Sequence, residues 1–223
     1  MTKIKLRMVT SLSGTMGDTT YRTLSPGNIV VSDKAALPTF ENEEDKTARD
    51  ARADQFGAVN ALVPSVIDAV KKGFPNKPRG VSAANMFTAR NAATLCVSTP
   101  AEDGGFAREY DFRSMTLSEG PVDAPSATAA VDTESRAVSF TLAALPPEEE
   151  TSLCKATDEV YAFVFDGELR KGALVELGAR GDGGSKTFSI PESWSTADLY
   201  VYAFARARRG RKASPTALLY PAE

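Results

Sequence analysis

Residues 41–74, ENEEDKTARDARADQFGAVNALVPSVIDAVKKGF, decide the fold, because no other segment is long and periodic enough to be a substantial amphipathic helix. Phe56, Val59, Val63, Val66, Ile67, Val70 and Phe74 recur at steps of three and four and predict one apolar face. Thr39 is the expected N-cap and Gly73 the expected C-cap. Glu41, Glu43, Glu44 and Asp45 crowd the start and Lys71 and Lys72 close the end, the order that the helix dipole favours. Pro64 removes a backbone donor and crowds the carbonyl four residues earlier, so a kink is expected near Asn60.

Working outward, residues 3–34 read as a small meander of three strands, Lys5–Thr10, Asp18–Leu24 and Ile29–Asp33, joined by SGTMG and SPGN turns. So little apolar content does not hold a sheet in water unaided, so the meander must pack on the helix, join a later sheet or add to a neighbouring molecule. After the helix, Pro75 and Pro78 stiffen a link, and Ser82 caps a second helix, AANMFTARNAATL. Asn85 and Asn91 lie near its apolar side and read as backbone ties. FAREYDFR alternates as a strand, and PVDAPSATAAVDT, from Pro121, reads as a linker.

Six strands are then expected: Ala137–Ala143, Glu159–Asp166, Leu174–Ala179, Lys186–Ile190, Leu199–Ala205 and Thr216–Tyr220. Their spacing predicts an antiparallel sandwich of immunoglobulin-like size, with Trp194 plugging one end. The expected fold class is therefore α+β: an N-terminal β-meander and two helices over residues 1–120, then an immunoglobulin-like β-sandwich over 121–223.

Composition narrows the chemistry. With 223 residues, 42% hydrophobic and 25% charged, the chain reads as an ordinary globular protein. A net charge of -3 disfavours a general nucleic-acid binder while leaving room for a local basic patch. There is no histidine and only Cys96 and Cys154, which removes Ser-His-Asp and Cys-His catalysis and the usual zinc sites. The two cysteines could form a disulfide but read better as reduced, buried thiols. No cofactor is expected. MTKIKLRMVTSLSGTMG has no adequate apolar core for a signal peptide and no apolar run is of membrane-spanning length, so synthesis in the cytoplasm is expected, without a membrane span.

The strongest charge signal is Arg206, Arg208, Arg209, Arg211 and Lys212, five cations in seven residues on the hairpin before the last strand. They read either as a solvated turn that blocks edge pairing or as a contact for something acidic, nucleic acid or protein. Glu41, Glu43, Glu44, Asp45, Asp50 and Asp54, which outnumber Lys46, Arg49 and Arg52 over residues 41–54, offer such a surface, and a head-to-tail contact between copies would build rings or filaments. ARGDGGSK lacks P-loop order, its Arg180-Gly181-Asp182 is read as chance, and Glu148–Glu149–Glu150 as a solvated loop. A carboxylate-based hydrolase stays open, since such a pair need only meet in space.

Two resemblances add to this reading. IPESWSTADLYVYAFARARRGRKASPT is similar to the last two strands of fibronectin type III and related immunoglobulin-like domains. SGTMGDTTYR, ARADQFGAVNALVPSVIDAVKKGF, SAANMFTARNAA, YDFRSMTLSEGPV and PESWSTADLYVYAF together resemble a family of proteins of about this length from Bacteroidetes and their phages and prophages. That resemblance implies a helical and extended N-terminal half joined to a C-terminal sandwich, and no catalytic residues to carry over. Members have a basic, proline-containing segment before the long helix, where this chain has the acidic VSDKAALPTFENEEDK. The functional expectation is a non-enzymatic structural protein, a multi-copy virion component (capsid-associated, decoration or tail) that self-associates or contacts other assembly subunits. The alternative is a glycan- or protein-binding module using the sandwich loops.

Overall fold

Pro64 does not bend one long helix but sits in the first turn of a second. In the computed structural model, which describes residues 2–5, 12, 14–25, 28–33, 42–102 and 104–221, α1 spans Glu43–Asn60 and α2 spans Val63–Gly73. The expected kink is thus a full break at Ala61 and Leu62, because proline's missing N–H costs nothing in a first turn, where no intrahelical acceptor awaits it. The Asn42 side chain accepts the Asp45 N–H at 2.8 Å at the start of α1, whereas the expected cap Thr39 lies outside the described residues. Gly73 is the last residue of α2 and Phe74 its cap; a β-carbon at Gly73 would collide with the Leu117 carbonyl and with Ser118. Of the expected apolar face, Val59, Val66, Val70 and Phe74 are buried, but Phe56 is 55% exposed.

The chain divides into two compact units, residues 1–46 and 47–223. In the first, β1 (Thr2–Lys5), β2 (Gly14–Met16), β3 (Thr19–Ser25) and β4 (Asn28–Asp33) form one antiparallel sheet in the order β1-β4-β3-β2. The sheet has four strands instead of the expected three. The segment SGTMG, read as a turn, supplies β2, and β1 begins at Thr2 and pairs with β4. Residues 6–10, most of the expected first strand, lie outside the described residues.

In the second unit, α3 (Ala83–Asn91) begins as expected, with the Ser82 hydroxyl accepting the Asn85 N–H at 3.0 Å. It ends four residues short of Leu95, where the Asn91 side chain turns to the backbone of another segment: its amide donates to the Phe87 and Thr116 carbonyls and its oxygen accepts the Thr116 N–H. A hairpin follows, β5 (Cys96–Pro100) with β6 (Phe106–Tyr110). The remaining strands are β7 (Ala127–Asp132), β8 (Ala137–Leu142), β9 (Glu159–Asp166), β10 (Lys171–Ala179), β11 (Gly184–Ser189), β12 (Leu199–Arg206) and β13 (Ala217–Tyr220). They make two antiparallel sheets, β10-β9-β12-β13 and β11-β8-β7. The segment read as a linker therefore contains β7.

In the sheet β10-β9-β12-β13 the central strands β9 and β12 are buried on both faces, and the outer strands are mostly half-buried. Tyr161, Phe163, Phe165, Tyr202 and Phe204 share a core with α1, α2, α3, Phe112, Met115 and Leu117. Val160, Ala162, Val164, Val201, Ala203 and Ala205 share a second core with Val138, Phe140 and Leu142 of β8, and with Trp194. Side chains from both sides of the 120/121 change of texture thus meet in one core. The fold is mixed α and β, with three helices and antiparallel strands in four sheets among the described residues. Cys96 and Cys154 are both buried and free.

Candidate functional site: a cation-lined cleft

Strand β12 ends at Arg206, and the chain reverses at once: the Ala207 N–H donates to the Lys212 carbonyl at 3.0 Å, Arg206 bridges Ala213, and Gly210 takes a φ of 86° that favours glycine. Arg208 and Arg209 stand exposed on this turn. Arg206 and Arg211 instead line a cleft of about 540 Å3 with Ile67, Lys71 and Phe74 of α2, Pro75, Lys77 and the start of α3 at Ser82, Ala83 and Ala84. A neighbouring cleft of about 280 Å3 shares Phe74, Lys77 and Arg211 and adds Lys212. The structure thus separates the five cations of the hairpin: Arg206, Arg211 and Lys212 face clefts, and Arg208 and Arg209 line neither.

Three local causes build this arrangement. Lys71 occupies the last turn of α2, where the dipole favours a cation. Pro75 and Pro78 keep the connection to α3 out of helix and leave Lys77 exposed on it. The start of α3 brings the positive end of a helix dipole to the same wall. Among the described residues, none of Lys71, Lys77, Arg206, Arg211 and Lys212 forms an ion pair. Neighbouring charges are satisfied elsewhere. Arg90 pairs with Glu119 at 2.7 Å. Lys72 donates to the Tyr161 hydroxyl at 3.1 Å, which donates to Glu159 at 2.7 Å. Burial and the Glu159 carboxylate push the Tyr161 phenol far above its ordinary range, so it stays a neutral link. Two acids lie close by: Glu159 stands opposite Arg206 in the β9–β12 register, and Glu119 lines the neighbouring cleft.

Of the expected acidic surface, Glu43, Glu44 and Asp45 are exposed in the first turn of α1, with Glu43 bonded to Lys46 at 3.3 Å; Glu41 lies outside the described residues. Further along α1, Asp54 is committed within the unit: it accepts Ser98 at 2.7 Å and Arg108 Nε at 2.9 Å, and these bonds hold its carboxyl at about 2.

The discarded motifs acquire structural roles. Arg180 is only 4% exposed and donates to the Asp123 and Ala124 carbonyls and to the Cys154 sulfur at 3.1 Å, so its guanidinium ties the end of β10 to two connections. Glu150 accepts the Ala156 N–H at 2.7 Å and Lys155 at 3.3 Å. Among the described residues no three His, Cys, Asp or Glu gather as metal ligands, and no helix is long and apolar enough to cross a membrane.

Lys77 was not among the candidates read from sequence, and Lys71 entered only as a helix-end charge. The available signal was the cation density of KKGFPNKPRG, residues 71–80, a second basic segment whose spatial relation to the hairpin only the fold supplies. Comparison of the chain with known protein families, with curated proteins and with solved structures finds no match.

Proposed function

We propose that this chain is a non-enzymatic structural subunit of a multi-copy assembly, a phage virion component making contacts through its N-terminal strands and through C-terminal strands that form an immunoglobulin-like sandwich. The observation that carries the reading is the N-terminal sheet. Within a unit of residues 1–46, the outer strands β1 and β2 hydrogen-bond on one side only among the described residues. Open edges of this kind accept strands from a neighbour, and a sheet this small gains from such a neighbour. Met16 on β2 is 73% exposed, an apolar side chain on an open edge. The sandwich element is supported by two antiparallel sheets that share one core, and the phage element by the resemblance of the segments quoted above.

Light scattering on the purified chain tests the reading. The expected result is a multimer that the edge variant Thr15→Lys/Met16→Lys converts to a smaller species with unchanged circular dichroism. A monomer at every concentration removes it. A second reading, a protein-binding module, is favoured by the unpaired cations of the cleft.

A further inference from the structure

We propose that the cleft bounded by Lys71, Lys77, Arg206 and Arg211 is a docking site for an acidic peptide segment that carries an apolar side chain. The inference rests on the reading of this chain as a subunit that contacts other proteins, and it names the chemistry of one such contact.

Four cations surround one depression and none has an anionic partner among the described residues. Like charges gathered on one wall repel each other, and an anion seated between them relieves that repulsion. The positive end of α3 acts in the same direction. The lining is not purely polar: Ile67, Phe74, Pro75 and Ala84 provide an apolar surface between the charges. A ligand that matches both features has carboxylates at its edges and a hydrophobic group between them.

Size and surface decide among anions. A cavity of about 540 Å3 is much larger than a single phosphate or carboxylate. Single-stranded nucleic acid, the competitor used below, fits less well, because its non-specific recognition combines cations with exposed aromatic rings on which bases stack. The only aromatic side chain lining this cleft, Phe74, is 4% exposed. The chain as a whole carries a charge of -3, which repels a polyanion beyond the cleft. A short acidic peptide meets the local field without meeting the rest. The sequence contains one example of the required chemistry, ALPTFENEED at residues 36–45, with Leu37 and Phe40 beside Glu41, Glu43, Glu44 and Asp45.

The test titrates full-length protein into a fluorescently labelled synthetic ALPTFENEED peptide, with ALPTFQNQQN as the neutral control and a poly-deoxythymidine oligonucleotide as the competing class. Expected are saturable binding of the acidic peptide, weakening as salt rises, no binding of the neutral peptide, and a loss of about tenfold or more in Lys77→Glu/Arg211→Glu. Lys77→Gln/Arg211→Gln gives a smaller loss in the same direction, and Arg208→Glu/Arg209→Glu, outside the cleft, changes affinity less than either. Equal binding of the neutral peptide, indifference to the cleft variants, or tighter binding of the oligonucleotide at the same residues overturns the proposal. Light scattering on the same samples separates this outcome from the assembly reading. A multimer that ignores both peptides keeps the assembly and loses the cleft, and a monomer that binds the acidic peptide through Lys77 and Arg211 does the reverse.

Discussion

The central strands β9 and β12 are buried on both faces, yet the two faces are built from different side chains. Toward the helices point Tyr161, Phe163, Phe165, Tyr202 and Phe204; toward β7 and β8 point Val160, Ala162, Val164, Val201, Ala203 and Ala205. The alternation in EVYAFVFD and LYVYAFAR is therefore one of volume and not of polarity. On the helix side the facing residues of α1 and α2 are small, Ala58, Val59, Val66, Ala69 and Val70, and the aromatics of the sheet fill the space between layers. On the other side the sheet residues are small and the partner sheet supplies bulk through Val138, Phe140 and Leu142. Small residues of α1 and α2 thus share the core with the sheet aromatics, while Phe112 meets Phe165 ring to ring at 4.9 Å.

The comparison is broken most severely by removing bulk from the aromatic face. The Phe163 ring stacks near Phe165 and Tyr202 and covers Gly172 so closely that a β-carbon there would enter the ring. Phe163→Ala should cost about 3–5 kcal/mol of unfolding free energy, read from chemical denaturation, because the surrounding layer cannot collapse into the space. A loss below about 1 kcal/mol would mean that the helices do not press on this face. Adding bulk to the opposite face is the milder perturbation. Ala203 is fully buried with β8 in the same core, and Ala203→Leu should cost about 1–3 kcal/mol through overpacking.

The same contrast explains which parts of the fold are legible in the sequence. Strand β9 is recovered to the residue, Glu159–Asp166, because aromatic and β-branched residues occupy five of its eight positions, with acidic residues at both ends. Strand β7 is hidden because its inward residues are Ala127, Ala129 and Val131, which follow Pro121 and Pro125 and look like linker; the bulk beside them in register, Leu142, Phe140 and Val138, belongs to β8. Strand β5 ends in a proline and buries Ser98, so its pattern is too weak to stand out. Pro64 was placed correctly as a disruption, but a local rule does not distinguish a kink from a first turn; the helix that resumes after it decides that. The cleft divides similarly. Its hairpin half announces itself as a run of cations, whereas Lys71 and Lys77 belong to another element, and only packing brings the two halves to one cavity.

The helix layer also has a polar border, and it carries the smallest predicted effect. Asp54 of α1 reaches across to Ser98 of β5 and Arg108 of β6, fixing the hairpin to the helix at an exposed edge of the aromatic core. The Arg108 and Ser98 bonds lower the Asp54 carboxyl from 3.8 to about 2 in the folded chain. In the unfolded chain the carboxyl takes up its proton at the higher value, so its contribution to stability is fully present above about pH 4 and disappears as pH falls toward about 2. Asp54→Asn should flatten stability against pH within that window and leave its slope between pH 5 and 7 unchanged. An unaltered acid limb in denaturation curves would show that the hairpin is held by the buried contacts of the aromatic core alone.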